Sequence, residues 1–354
     1  MKKNTKILLC LFIIIIFGAA SGCIQATPKK IVPPAGFYKS FDKAKIWQQK
    51  TSLVTTAGNK NINSISVSVI RIDPQDNNAV YIGTESNGLF YSFNGGEFWQ
   101  QPHQLTAGKI NDIAVDPKNK CIVYTAFGNQ VYKTTDCNRS WSQIYIDPRP
   151  KIIITSIAIN SNNPKIVYIT TDFGEVIKSV EGGIPWTTIQ RFNKPITKLI
   201  INPHAPSILY SLVSNTGIYK STDNGDTWRS ISLDIKKYPN SLVNSQLFFN
   251  TFLQDSLILT SKYGILKSDD GGETWKNLNL ITQPSGTDIL SFAINPQNEK
   301  EMYYGTIATV YYTKDGGVSW SVNKLPTGAQ SSYLLGDPTN QSIVYLGMKN
   351  IITK

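Results

Sequence analysis

An eight-residue box, Ser-Thr-Asp-Asn-Gly-Asp-Thr-Trp at residues 221–228, returns along this chain at nearly constant spacing and limits what the chain can fold into. Its key positions are Ser221, Asp223 and Trp228, and a second full copy has Ser268, Asp270 and Trp275. Looser copies have Thr313, Asp315 and Trp320; Ser179, Glu181 and Trp186; Thr134, Asp136 and Trp141; and Ser92, Asn94 and Trp99. The weakest keeps Ser40, Asp42 and Trp47 but has Ala44 where glycine is usual, and all seven tryptophans of the chain close a copy. The hydroxyl and the carboxylate or amide, two residues apart, are placed to accept backbone N–H bonds inside a tight turn. Glycine at the fifth position meets a need for positive φ, and the tryptophan opens a strand and buries a large apolar area. Seven equivalent turns spaced around a ring cannot converge on one substrate, so the boxes read as structural clasps.

The steps between tryptophans 99, 141, 186, 228, 275 and 320 are 42, 45, 42, 47 and 45 residues, the period of a four-stranded propeller blade. A sustained repeat overrides the two-domain prior that 354 residues would carry. Each repeat reads as an apolar strand, an Asp-Pro or Asn-Pro turn, a second strand such as residues 80–83, a third ending at the box and a fourth from the tryptophan. These are strands A to D, from axis to rim. The fifth repeat departs: its apolar run 247–253 leads at once to 257–259, and the longest connection, 234–245, precedes it. At the C-terminal end the last repeat stops where its box should begin, and the box at 40–47 supplies it. The expected fold is all-β, a seven-bladed propeller over residues 36–354, closed by pairing N- and C-terminal strands in one blade. Residues 36–39 and 351–353 both resemble strand C, and either terminus could supply it.

Residues 1–22 read as a leader, with Lys2, Lys3 and Lys6, then an apolar run 7–17 and a small-residue exit. The run is shorter than the roughly 20 residues of a membrane span. Ala20-Ser21-Gly22-Cys23 resembles a bacterial lipobox, making Cys23 the lipid-bearing residue; the alternative is an ordinary signal peptide that contains a cysteine. Residues 23–35, with Pro28, Pro33 and Pro34, read as an extended tether. The expectation is an exported domain, lipid-anchored on the extracytoplasmic side of a bacterial membrane.

Formal net charge is +11, three of the positive charges lying in the leader. Lysine outnumbers arginine thirty to five, and the arginines are dispersed, so no nucleic-acid partner is expected. His103 and His204 fall in different loops, and the Gly-Gly pairs belong to the boxes; no metal or other cofactor is expected. Cys121 opens strand B of the second repeat and Cys137 lies in its C to D turn, at the same end of the blade. A disulfide worth about 3 kcal/mol is expected there, against the alternative of two free thiols.

The repeated box, with the intervening Asp-Pro and Val-Tyr signals, resembles the Asp-box, or BNR, repeat propellers over residues 36–354. Within that group the regular blades look most like the photosystem II stability/assembly-factor-like propellers. The resemblance implies seven blades and a protein that assists assembly of a membrane complex. The box is also shared with sialidases, xyloglucanases and sortilin-type receptors, which implies a carbohydrate-binding module or glycoside hydrolase as the alternative. A sialidase-like site would need an arginine triad, and only Arg71 falls on an inner strand. Xyloglucanase-type cleavage needs two facing carboxylates, and the inner strands offer little beyond Asp112. The domain is therefore expected to be a monomeric binding protein and not an enzyme.

The remaining candidate surface is the end of the ring opposite the boxes. Lys109, Arg149, Lys151, Lys194, Lys236, Lys237 and Lys324 fall in or beside D to A connections, with Tyr145, Phe192 and Tyr238 interleaved. A basic, aromatic face suits an acidic protein surface or a glycan; solubilising lysines are the plainer reading.

Overall fold

The computed structural model describes residues 34–351, which are almost wholly β apart from short 3-10 turns at His103–Leu105 and Ile235–Lys237. The leader, Cys23 and nearly all of the tether lie outside the described residues. Six sheets are four-stranded and antiparallel, and two are three-stranded. Seven of the eight follow one another round a ring. The innermost strands Val67–Asp73, Ile110–Val115, Ile154–Ile159, Ile196–Ile201 and Gln246–Phe249 are neighbours in that order. Phe248 and Phe292, 5.3 Å between ring centroids, link the fifth blade to the sixth. Ser291–Asn295 then meets Gln330–Gly336, which returns to Val67–Asp73. Second strands such as Val167–Thr171 and Leu209–Val213 are buried at every position. They are covered on both faces by neighbouring blades, which is why they read as unbroken apolar runs.

The closing blade runs Gln330–Gly336, Val344–Lys349, Gly36–Ser40 and Gln48–Gln49 from axis to rim. The N-terminus thus supplies strand C, paired from Gly36 with Met348 to Ser40 with Val344. All five residues of that strand are buried, so the closure is a core contact and leaves no open edge between first and last blades.

In the box at 221–228, Ser221 Oγ accepts the Gly225 N–H at 2.8 Å and donates to Asp223 Oδ1 at 2.7 Å. Asp223 Oδ1 accepts the Thr227 N–H at 2.9 Å. The same bonds recur around Ser268 with Asp270 and around Thr313 with Asp315. In the third blade Ser179 Oγ still accepts the Gly183 N–H at 2.9 Å, but Glu181 turns outward to Lys165, and Pro185 has no N–H to give. Ala44 holds its box at φ 66°, where five other copies have glycine. Lysines just before four boxes tie blade to blade: Lys39, Lys133, Lys178 and Lys220 donate to backbone oxygens of Gly95, Gly182, Asn224 and Gly271 in the next box, at 2.8–3.4 Å.

Two local features differ from the sequence reading. The inner strand of the fifth blade ends at Phe249, and residues 250–256 are a loop, not a strand running to Leu253. Asn250 makes the turn without a proline, its Oδ1 accepting the Phe252 N–H at 3.3 Å. Between the closing blade and the first, Ser52–Thr55 and Gly58–Asn61 form an added hairpin. The outer strand of the first blade is only Phe98–Trp99, and Ser52–Thr55 pairs with it in parallel, extending the sheet outward.

Candidate functional site at the mouth of the ring

Strand A of each blade starts at the end opposite the boxes, where the D to A connections arrive. There the inner strands enclose a cavity of about 530 Å³ lined by Arg71, Asp112, Lys198, Gln246, Phe249 and Tyr333, among others. Asp112 is its only carboxylate among the described residues. Counted back from the Asp or Asn of each A to B turn, Asp112, Ser156, Lys198, Gln246 and Tyr333 occupy one position, four residues before it, and Arg71 stands two before it. Repetition of the backbone therefore brings unlike side chains to one layer of the channel.

Asp112 is almost fully buried and every lone-pair direction is used. Oδ1 accepts from Arg71 Nη2 at 2.6 Å and from its neighbour's N–H, Ile113, at 3.0 Å. Oδ2 accepts from Lys198 Nζ at 2.7 Å, Ser156 Oγ at 3.0 Å and the Ile157 N–H at 3.2 Å. Burial alone would raise the Asp112 carboxyl, but the Lys198 and Arg71 charges with these hydrogen bonds outweigh it and hold the group below the usual carboxylate range. Asp112 is thus a fixed anion. A general acid would have to be protonated near neutral pH, and no second carboxylate faces it. Arg71 also donates to the Tyr333 hydroxyl and to the Ile113 carbonyl at 3.1 Å, with its guanidinium 5.5 Å from the Tyr333 ring centroid. Two cations on one anion leave the mouth with a surplus positive charge. Lys198 and Tyr333 were not singled out from the sequence; a charged or aromatic residue at a position filled by Val69, Ser156 and Ser291 in other repeats is the signal that marks them.

The rim residues divide into three groups. Lys109 pairs with Glu85 at 2.9 Å, Lys237 with Asp234 at 2.8 Å, and Arg149 with Asp147 and Glu175 at 2.7 and 2.5 Å. Arg149 holds the Asp147 carboxyl below its ordinary value. Lys151, Lys194, Lys236 and Lys324 are exposed, without an ion pair among the described residues. The aromatic residues are turned to packing: Tyr145 meets Trp186, Phe192 meets Tyr219 and Trp228, and the Tyr238 hydroxyl donates to the Trp275 carbonyl at 2.6 Å. All three are half-buried, so the rim displays lysine more than aromatic surface. Cys121 and Cys137 are joined by a disulfide that ties the start of strand B to the box turn of the second blade. Among the described residues no group of three His, Cys, Asp or Glu is placed to hold a metal ion.

Comparison with known proteins gives two kinds of relative. The family model "Photosynthesis system II assembly factor YCF48" matches residues 201–332. Solved structures of similar fold include YCF48 bound to D1 peptide (TM-score 0.62, 16% identity, 82% of this chain and 94% of that one). YCF48 from Cyanidioschyzon merolae gives TM-score 0.60 and 14% identity, over 80% of this chain and 95% of that one. The GH74 enzyme of Niastella koreensis gives TM-score 0.64 and 18% identity, over 80% of this chain but 51% of the enzyme. A probable oligoxyloglucan-reducing end-specific xyloglucanase of Neosartorya fischeri is 34% identical over 67 residues, 19% of this chain and 8% of the enzyme. The chain thus spans a small part of that enzyme and about half of the Niastella one. With its repeated boxes and closed ring of blades, the chain has the fold of a BNR-type β-propeller, and residues 201–332 match the photosystem II assembly-factor family.

Proposed function

We propose that this chain is a lipid-anchored, extracytoplasmic propeller that binds another protein and serves assembly or maturation of a membrane or envelope complex. The observation that carries the reading is the mouth cavity: its one carboxylate among the described residues is locked by two cations, Arg71 and Lys198, whose surplus charge lines it, and exposed Lys151, Lys194, Lys236 and Lys324 fall in or beside the connections of the same end. That arrangement suits capture of an acidic segment and lacks the acid–base pair of a glycosidase. The likeness to a propeller solved with a D1 peptide supports a protein ligand. The disulfide fits an oxidising compartment, and the lipobox-like residues at Ala20 to Cys23 support the anchor. A glycoside hydrolase is the second reading, favoured only by the GH74 likeness.

Crosslinking capture from envelope membranes, beside a xyloglucan-oligosaccharide hydrolysis assay, separates the two. The proposal expects a protein adduct weakened by Lys198→Glu and by charge reversal at Lys151, Lys236 and Lys237, and no hydrolysis. Turnover abolished by Asp112→Asn would overturn it in favour of the enzyme.

A further inference from the structure

The boxes are nearly alike as clasps but not as surfaces. The second and sixth positions of a box, and the seventh where neither threonine nor serine stands, leave their side chains outside the clasp. Exposed apolar side chains stand at such positions in three consecutive blades, Phe41 and Ile46 in the closing blade, Phe93 and Phe98 in the first and Val318 in the sixth, and again in the third at Val180 and Ile184. These side chains are 44–85% exposed. The loops of the three consecutive blades adjoin along the rim. Lys39, from the closing blade, donates to the Gly95 carbonyl at 3.0 Å, and Lys50 pairs with Glu97 at 2.8 Å. On the other side Asn323 of the sixth blade donates to the Ala44 carbonyl at 3.1 Å, and Lys43 pairs with Glu301 at 2.7 Å. Lys45, Lys300 and Lys314 stand exposed among them without an ion pair in the described residues, and Lys50 lies 5.6 Å from the Phe41 ring centroid. The box turns of the fourth and fifth blades carry Asp226, Asp269, Asp270 and Glu273 instead, with Asp226, Asp269 and Glu273 paired to Lys178, Lys267 and Arg229.

We propose that the box-bearing rim of the sixth, closing and first blades docks edge-on to an anionic lipid bilayer. Loop tips bearing Phe, Ile and Val between lysines match an interface with an apolar interior and negative headgroups, where both kinds of side chain are satisfied at one depth. The box turns of the fourth and fifth blades offer such a surface no exposed apolar tip, so the ring meets it on one side and tilts with those blades away. This contact is separate from the mouth of the ring, which it leaves open to a protein partner. It rests on residues 34–351 alone and does not require the lipid anchor.

The compact unit of residues 33–354 holds every sheet and a closed ring, so the test uses that unit, without leader or Cys23, in sedimentation with vesicles. Vesicles of phosphatidylglycerol mixed with phosphatidylcholine are expected to carry the protein down at low salt, and pure phosphatidylcholine to carry at least ten-fold less. Replacing Phe41, Phe93 and Phe98 by Ser should lower the bound fraction about ten-fold, and Lys45→Glu with Lys314→Glu should do the same and remove the salt dependence. Val180→Ser with Ile184→Ser, equally exposed in the third blade, should leave it unchanged. If the triple variant loses its cooperative melt, Ile46→Ser with Val318→Ser carries the same expectation. No sedimentation with anionic vesicles, equal sedimentation of these variants, or a patch that binds a protein but no vesicle would each overturn the proposal.

Discussion

The box turns and the mouth of the ring both hold aspartates tied down by several hydrogen bonds, yet they differ in kind. At the boxes the carboxylates are partly exposed and bound by their own turn; Thr227 and Asp223 lie four residues apart. At the mouth, Asp112 is buried and bound by three other strands, Arg71 and Lys198 coming from positions 41 and 86 residues away. A group repeated in most blades and satisfied locally serves the fold. A group found once, satisfied mainly by distant strands and leaving charge over, marks a candidate site.

The sharpest way to break this contrast is to remove the single aspartate. Asp112→Asn should lower unfolding free energy by about 3 kcal/mol, because Arg71 and Lys198 lose their common anion in a partly buried place; urea unfolding of residues 33–354 measures it. A loss below 1 kcal/mol would place Asp112 with the box residues. Replacing Cys121 and Cys137 together by Ser should cost about as much, roughly 3 kcal/mol for a loop of this length, and the loss should vanish when both proteins are compared under reducing conditions. By contrast Ser221→Ala removes one local clasp and should cost about 1 kcal/mol.

The box carboxylates also give the contrast a pH signature. Hydrogen bonds from Ser140, Thr227 and Thr274, with the other turn donors, hold Asp136, Asp223 and Asp270 down at about 2; at Asp270 they outweigh the upward pull of burial. An unfolded aspartate titrates near 3.9. Their folded pKa is depressed, so this stabilisation is complete above about pH 4 and is lost as pH falls toward 2. The melting temperature should therefore be flat on this account from neutral pH to about 4 and drop below it, and Asp223→Asn should make the drop shallower. The smallest effect is a gain: Ala44→Gly should stabilise the closing blade by up to about 1 kcal/mol, since Ala44 sits at φ 66°.

Much of this fold was legible because the box is a local device. Its hydroxyl, its Asp and its tryptophan act within eight residues, so sequence spacing alone gave blade number, order and closing pair. What was not legible depends on pairing across distance. The hairpin at residues 52–61 lacks the apolar alternation of a core strand, and it exists because the short strand Phe98–Trp99 offers it an edge. Asn250 was missed because the apolar Phe252 and Leu253 that follow it read as strand. At the site, Arg71 and Asp112 were placed on inner strands from the sequence, but Lys198 emerges only when repeats are aligned on their A to B turns. The rim aromatics read as displayed surface, and their burial against Trp186, Trp228 and Tyr263 depends on contacts that no local pattern encodes.

If the mouth of the ring binds an acidic protein segment, as proposed, a crosslinker placed within it must capture that segment. A photo-crosslinking residue in place of Thr197, which lines that cavity, tests it most directly in intact envelope membranes. The account predicts a discrete protein adduct that disappears with Lys198→Glu and persists with the exposed control Lys165→Glu. An adduct indifferent to Lys198, or one formed only with glycan, would contradict it.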